Sequence, residues 1–339
     1  MIHYAAAETN LAPPPVALDP AEHRRLMREV MDVRRFNGGD RRNPQYFSGL
    51  LVNRDSGAEH PSLVFLNGLG EGAKSLETRY RAYQLGARFP GQPVLCLDLP
   101  AHGQSSISTP AQRKEIYEHG NMYNIARAMA QAICFALPNE QVAFAGYSLG
   151  AFMMAPVMIK ASDFCIRPVA AIGQEVVGLE RRTRAGVLAG HYVVETVRQR
   201  RYGGQKYAAL RREYDAFVQA AKAAQYDPAQ HNPWRVFRDD PRLVRAMILR
   251  GPLATDQSFQ NLRILLRTYQ QMPLTLLTAG QSADVRWPRI AHRAQEFCAE
   301  YAGRVQWHVW PQDTHGLGLA PNQPRLAEFI RGVLHPNIG

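Results

Sequence analysis

The chain has 339 residues, enough for one large α/β domain or two ordinary ones, and its 46% hydrophobic content with 26 glycines and 23 prolines excludes the disordered and fibrous classes. No run approaches the ~18 apolar residues of a membrane-spanning helix. The net charge of +11 is uneven: residues 178–271 carry 17 Lys and Arg against 8 Asp and Glu, a net of +9 that leaves only +2 elsewhere.

Residues 1–20 are rich in Ala and Pro and read as a loose arm; they lack the basic and apolar regions of a secretory signal, so a cytoplasmic protein is expected. Residues 21–36 repeat apolar side chains at helical spacing (Leu26, Met27, Val30, Val33, Phe36). Asp19 can cap that helix, Pro20 suits its first turn, and Asn37-Gly38-Gly39 ends it. Residues 46–52 read as a strand followed by a turn over 53–57. Strands at 62–66, 93–97, 141–145, 167–173, 273–278 and 305–310 then alternate with helices at 75–89, 121–136, 151–160, 290–302 and 325–334. Short apolar runs separated by helices predict an α/β fold whose mostly parallel sheet has helices on both faces.

The alternation breaks once, between residues 173 and 273. Helical patterning at 205–225 and 242–250 is punctuated there by Gly203-Gly204, Pro228, Pro233 and Pro241. A structureless loop of that length is improbable in a compact domain, so residues 178–271 are predicted to be an inserted helical cap. The division is an arm and helix over 1–45, a core over 46–177, the cap, and a second core part over 272–339. The cap's basic excess suits an acidic partner, such as an anionic substrate, an acidic carrier protein or a lipid surface; solvated helix faces are the plainer reading. Arg181-Arg182-Thr183-Arg184 and Arg198-Gln199-Arg200-Arg201 are dense, but no nucleic-acid motif accompanies them and no nucleic-acid partner is expected. Cys96, Cys134, Cys165 and Cys298 form no CxxC pair and no zinc spacing, and read as buried free thiols.

Chemistry enters at Gly146-Tyr147-Ser148-Leu149-Gly150, where a strand-like run meets a helix-compatible one. In so tight a turn the residues two before and two after the serine must be tiny, which leaves the Ser148 hydroxyl exposed at the strand tip. The same turn aims the Leu149 N–H at any oxyanion forming beside the serine. A plain glycine-rich turn would share the pentapeptide; the flanking strand and helix favour the nucleophile.

Four motifs in one order give the chain its resemblance to the α/β-hydrolase fold family over residues 46–334. Residues 63–70, ending Asn67-Gly68-Leu69-Gly70, are similar to the strand and oxyanion loop, with Asn67 in place of the usual histidine. Residues 97–105, with Asp98 and His102, resemble a structural turn of the family and are given no catalytic role. The Ser148 turn is the third motif, and Asp313-Thr314-His315-Gly316 after the last strand is the fourth, where the family keeps its catalytic histidine.

The resemblance implies Ser148 as nucleophile, His315 as base, and backbone donors at Leu69 and Leu149. Asp284, after the 273–278 strand, is the favoured acid; Glu175, after the preceding strand, is the alternative that some members use. Asp313 is too close in sequence to His315 to serve it. A neutral imidazole suits removal of a serine proton near pH 7, and a carboxylate suits the imidazolium that results. The expected activity is hydrolysis of an ester-like acyl bond (carboxylic ester, thioester or lactone) in a small-molecule substrate, with an anionic portion as one version. It needs no metal and no organic cofactor. Acyl transfer, amide or carbon–carbon hydrolysis on the same triad remain open. So do a ligand receptor that retains the triad and a module whose basic cap binds a partner.

Overall fold

Among the described residues, nine short strands carry the molecule, and most of them bury both faces. The computed structural model describes residues 1–4, 13, 15–39, 44–56, 60–137, 139–182, 208–251, 253, 255–315 and 320–336. The strands are β1 (Ile2–Tyr4), β2 (Val33–Asn37), β3 (Tyr46–Val52), β4 (Ser62–Leu66), β5 (Val94–Leu97), β6 (Gln141–Tyr147), β7 (Arg167–Gln174), β8 (Leu274–Ala279) and β9 (Val305–Trp310). They form one sheet in the order β1-β9-β8-β7-β6-β4-β5-β3-β2. Pairing is parallel from β1 to β5, while β3 runs antiparallel to both β5 and β2.

The period of two sorts side chains between two cores. Along β4, Val64 and Leu66 enter one cluster while Leu63 and Phe65 enter the other; along β6, Val142 and Phe144 part from Ala143, Ala145 and Tyr147. On the first face lie helices α3 (Pro110–His119), α4 (Tyr123–Ala136), α5 (Leu149–Ala161), α9 (Gln257–Thr268) and α10 (Trp287–Glu300). On the second lie α1 (Pro20–Met31), α2 (Leu76–Arg88), α6 (Ala208–Ala223) and α11 (Gln323–Leu334). Two short helices, α7 (Arg235–Asp239) and α8 (Pro241–Leu249), precede α9. The mostly parallel sheet with helices on both faces is the architecture the sequence predicts.

Several elements differ from expectation. The predicted helix over 21–36 stops at Met31, and Val33–Asn37 pairs with β3 instead, Phe36 opposite Phe47. An edge strand at β3 would otherwise leave its N–H and C=O groups unpaired, and that demand outweighs the helical period. The arm is not wholly loose: Ile2–Tyr4 adds a parallel strand to β9. Two of the predicted cap's helices pack on the core: α9 contributes Phe259, Leu262, Leu265 and Leu266 to the cluster around α5, and α6 sets Phe217 and Ala221 against α1 and α2. Residues 183–207, with Arg184 and the basic stretch 198–201, lie outside the described residues. All four cysteines are free, but only Cys96 and Cys298 are buried; Cys134 is half-buried and Cys165 exposed.

Candidate active site

Ser148 lies between β6 and α5 with φ 54° and ψ −118°, a left-handed conformation that ordinary side chains avoid. The flanking glycines make the turn possible. A Cβ on Gly150 would sit 2.1 Å from the Leu66 carbonyl oxygen, and one on Gly146 would sit 2.7 Å from that of Gly150. Leu149 is the first residue of α5, so its N–H has no carbonyl one turn back to bond.

His315 follows β9 and reaches Ser148, with Nε2 3.0 Å from Oγ. Its Nδ1 lies 2.8 Å from Oε2 of Glu175. Glu175 directly follows β7 at φ 52°, a second non-glycine residue held in the left-handed region. Its other oxygen accepts the Ala279 N–H at 2.5 Å, and the whole side chain is buried. Burial pushes the Glu175 carboxyl up, while its bonds to His315, Ser282 and Ala279 pull in the opposite direction. The Tyr147 hydroxyl donates to the His315 carbonyl at 2.5 Å and steadies the loop that carries the imidazole.

The structure places Asp284 differently from the sequence preference. Nδ1, the position expected for it, is occupied by Glu175. Asp284 lies on the opposite side of the ring, with Oδ2 3.6 Å from Nε2 and Oδ1 3.5 Å from the Arg182 guanidinium. Asp313, set aside in sequence, is bound at 3.1 and 3.2 Å by buried Arg325. Gly316 of the histidine motif is outside the described residues.

The loop after β4 is held by a buried polar network that sequence reading missed. Asn67 donates to Asp98 at 2.9 Å and accepts from Arg81 at 2.9 Å. Arg81 grips both oxygens of Glu71, at 2.8 and 2.6 Å, and Glu71 in turn accepts the Gly68 N–H at 2.6 Å. Asp98 is completed by Ser48 and the Ala73 amide, at 2.5 and 2.9 Å. Asn67 thus joins the loop to the turn behind it, and Leu69 lines the same cavity as Ser148. Arg81 and Glu71 gave no signal because their partners are long-range contacts rather than a motif.

A family model described as alpha/beta hydrolase fold matches residues 61–172. The mostly parallel sheet with helices on both faces agrees with it, and Ser148 lies within the matched residues, whereas His315 lies beyond them. The chain is an α/β-hydrolase-fold protein. No curated protein matches its sequence. Solved structures of similar shape include a proline iminopeptidase from Mycobacterium smegmatis, with 14% identity over 90% of this chain and 98% of that one and a TM-score of 0.55. A 2-hydroxy-6-oxo-6-phenylhexa-2,4-dienoate hydrolase from Rhodococcus sp. strain RHA1 shares 14% identity over 88% and 98%, with a TM-score of 0.53. A naproxen esterase from Bacillus subtilis shares 14% over 95% and 100%, with a TM-score of 0.50. At these identities the likeness is one of fold, and the three neighbours are named for three different substrates.

Within this α/β-hydrolase fold, Ser148 lines a narrow, largely apolar cavity whose interior volume is about 40 Å³. Leu69, Val176, Val177, Phe237, Val244 and Ile248 are among its apolar walls. Among the described residues, its charged lining is Glu180, Arg182 and Asp284, of which Glu180 pairs with Arg286 at 2.5 Å. Of the basic cluster singled out in sequence, Arg182 faces this cavity, whereas Arg181 is 85% exposed and paired with Asp256.

Proposed function

We propose that the chain is a serine hydrolase acting on an ester-like acyl bond, with Ser148 as nucleophile, His315 as base and Glu175 as the acid. The observation that carries this is the hydrogen-bonded line from Ser148 Oγ through His315 to Glu175, at 3.0 and 2.8 Å. In this reading Nε2 takes the hydroxyl proton as Oγ attacks the carbonyl carbon, and Nδ1–H donates to Glu175, which stabilises the imidazolium. The Leu69 and Leu149 amides receive the developing oxyanion, and the positive end of α5 adds to their pull. The imidazolium then protonates the leaving oxygen as the tetrahedral intermediate collapses to an acyl-enzyme. Water, activated by the same histidine, releases the acid. The apolar walls favour an uncharged acyl or aryl group over a peptide chain, whose amides would lose their water partners there.

A fluorophosphonate probe should label Ser148, and a p-nitrophenyl ester such as the butyrate should turn over. Ser148→Ala should lose both, with kcat falling on the order of 10³-fold or more in a protein that unfolds at the same temperature. A folded Ser148→Ala protein that keeps most of its activity would sink the assignment.

A further inference from the structure

The cavity at Ser148 adjoins a surface groove lined by Phe237, Pro241, Val244, Arg245, Ile248 and Leu249. Phe237, Val244 and Ile248 line both. At 100° per residue, Val244, Ile248, Pro241, Arg245 and Leu249 follow one another around a single arc of α8. The opposite arc, Leu243, Ala246 and Met247, is buried and faces α3. Phe237, Val244 and Ile248 therefore stand between the catalytic cavity and the groove, and one side of α8 carries apolar side chains from the one to the other. Trp234, 57% exposed, leans on Phe237 with ring centroids 5.4 Å apart and extends that surface.

The helix is fixed in place. Asp240, 3% exposed, caps α8 through the Leu243 N–H at 3.1 Å and also accepts from the Ser108 amide and hydroxyl at 2.7 and 2.5 Å. Arg113 lies 3.5 Å from the oxygen that accepts the Leu243 N–H. A surface anchored in this way is a preformed wall, and an unbranched alkyl chain laid along it would shed water without meeting a buried polar group.

Resting on the serine hydrolase reading, we propose that the substrate carries a long unbranched alkyl chain. The chain runs from the scissile carbonyl past Phe237, Val244 and Ile248 and lies in the groove over Pro241, Arg245 and Leu249. The shared chemistry is an alkyl chain on either side of the carbonyl, and two substrate series distinguish the acyl arm from the alcohol arm.

The test uses the full-length chain with p-nitrophenyl esters from acetate to palmitate, and with acetate esters of alcohols from ethanol to hexadecanol. In one series kcat/KM should keep rising beyond eight carbons, by roughly two- to four-fold for each methylene that reaches the groove. Leu249→Glu, which puts a charge in the groove, and Ile248→Trp, which fills the junction, should each cut the long-to-short ratio of kcat/KM by ten-fold or more. An optimum at four carbons or fewer in both series overturns the proposal, as does an unchanged ratio in both folded variants. Failure of every ester to turn over, with no probe labelling of Ser148, would instead overturn the hydrolase reading beneath it.

Discussion

Ser148 and Glu175 are both held at positive φ, 54° and 52°, a conformation costing about 1–3 kcal/mol for a residue other than glycine. Each directly follows a neighbouring parallel strand, β6 and β7, and each points its side chain toward His315. Two strained residues on one imidazole make a rigid geometry, which is what proton transfer in a fixed direction requires. Asp284 contacts the same ring, but from the side that Ser148 uses, and at a longer distance. Glu175→Gln should therefore lower kcat by about 10³- to 10⁴-fold, because Nδ1 loses the acceptor that fixes its tautomer and its charge. Asp284→Asn should cost less than about ten-fold, since the Nδ1 partner remains. Steady-state kinetics on the two purified variants decides the matter, and a more severe Asp284→Asn would return the acid to that position. The serine and both glycines were legible because tight-turn sterics write themselves into the sequence, and the histidine because its motif follows the last strand, as the resemblance implies. The choice between two carboxylates was not, because it depends on a left-handed turn at Glu175 and on Arg182 beside Asp284, neither of which has a local signature.

Elements with a strong period or a cap were readable close to their ends. Asp19 caps α1 by accepting from Ala21 and Glu22, Ser75 caps α2, and β3, β4 and β9 have the bounds that their apolar runs predict. The failures are short or borrowed elements. β1 has three residues, too few for any periodicity, and β2 exists because β3 needs a partner. α3 was missed although Thr109 and Gln112 form a capping box, because its surface-facing side chains carry little apolar pattern. α8 is the element on which the substrate surface depends, and Asp240 is the residue that ties it to α3. Asp240→Ala removes the cap and leaves the Ser108 amide without its acceptor, so it should cost about 2–3 kcal/mol. Urea unfolding should show that loss as a lower midpoint at unchanged slope. A variant within ~0.5 kcal/mol of the parent would mean that this buried contact adds little to holding α8.

For the molecule as a whole, the turn between β5 and α3 places two buried titrating groups with opposite effects on folding. Burial lowers His102 from 6.5 to about 4, and its Nδ1–H donates to the Pro100 carbonyl at 2.7 Å. Burial raises Asp98 from 3.8 to about 6, despite its bonds to Ala73, Ser48 and Asn67. Above pH 6.5 the imidazole is neutral in both states and its contribution is complete. As pH falls from 6.5 toward 4 the unfolded chain binds a proton that folded His102 refuses, so stability is lost. Asp98 works the other way: between about 6 and 3.8 the folded carboxyl binds a proton first, and stability is gained as pH falls. Each group can contribute up to ~1.4 kcal/mol per pH unit, and the two largely cancel in the window that they share. Removing either one should expose the other. His102→Gln should make the unfolding free energy fall less steeply, or even rise, between pH 6.5 and 4.5, whereas Asp98→Asn should make it fall more steeply. The readout is the slope against pH from urea titrations, so a uniform destabilisation by either substitution leaves the comparison intact. Parallel curves for the parent and both variants would show that neither group titrates differently in the folded protein.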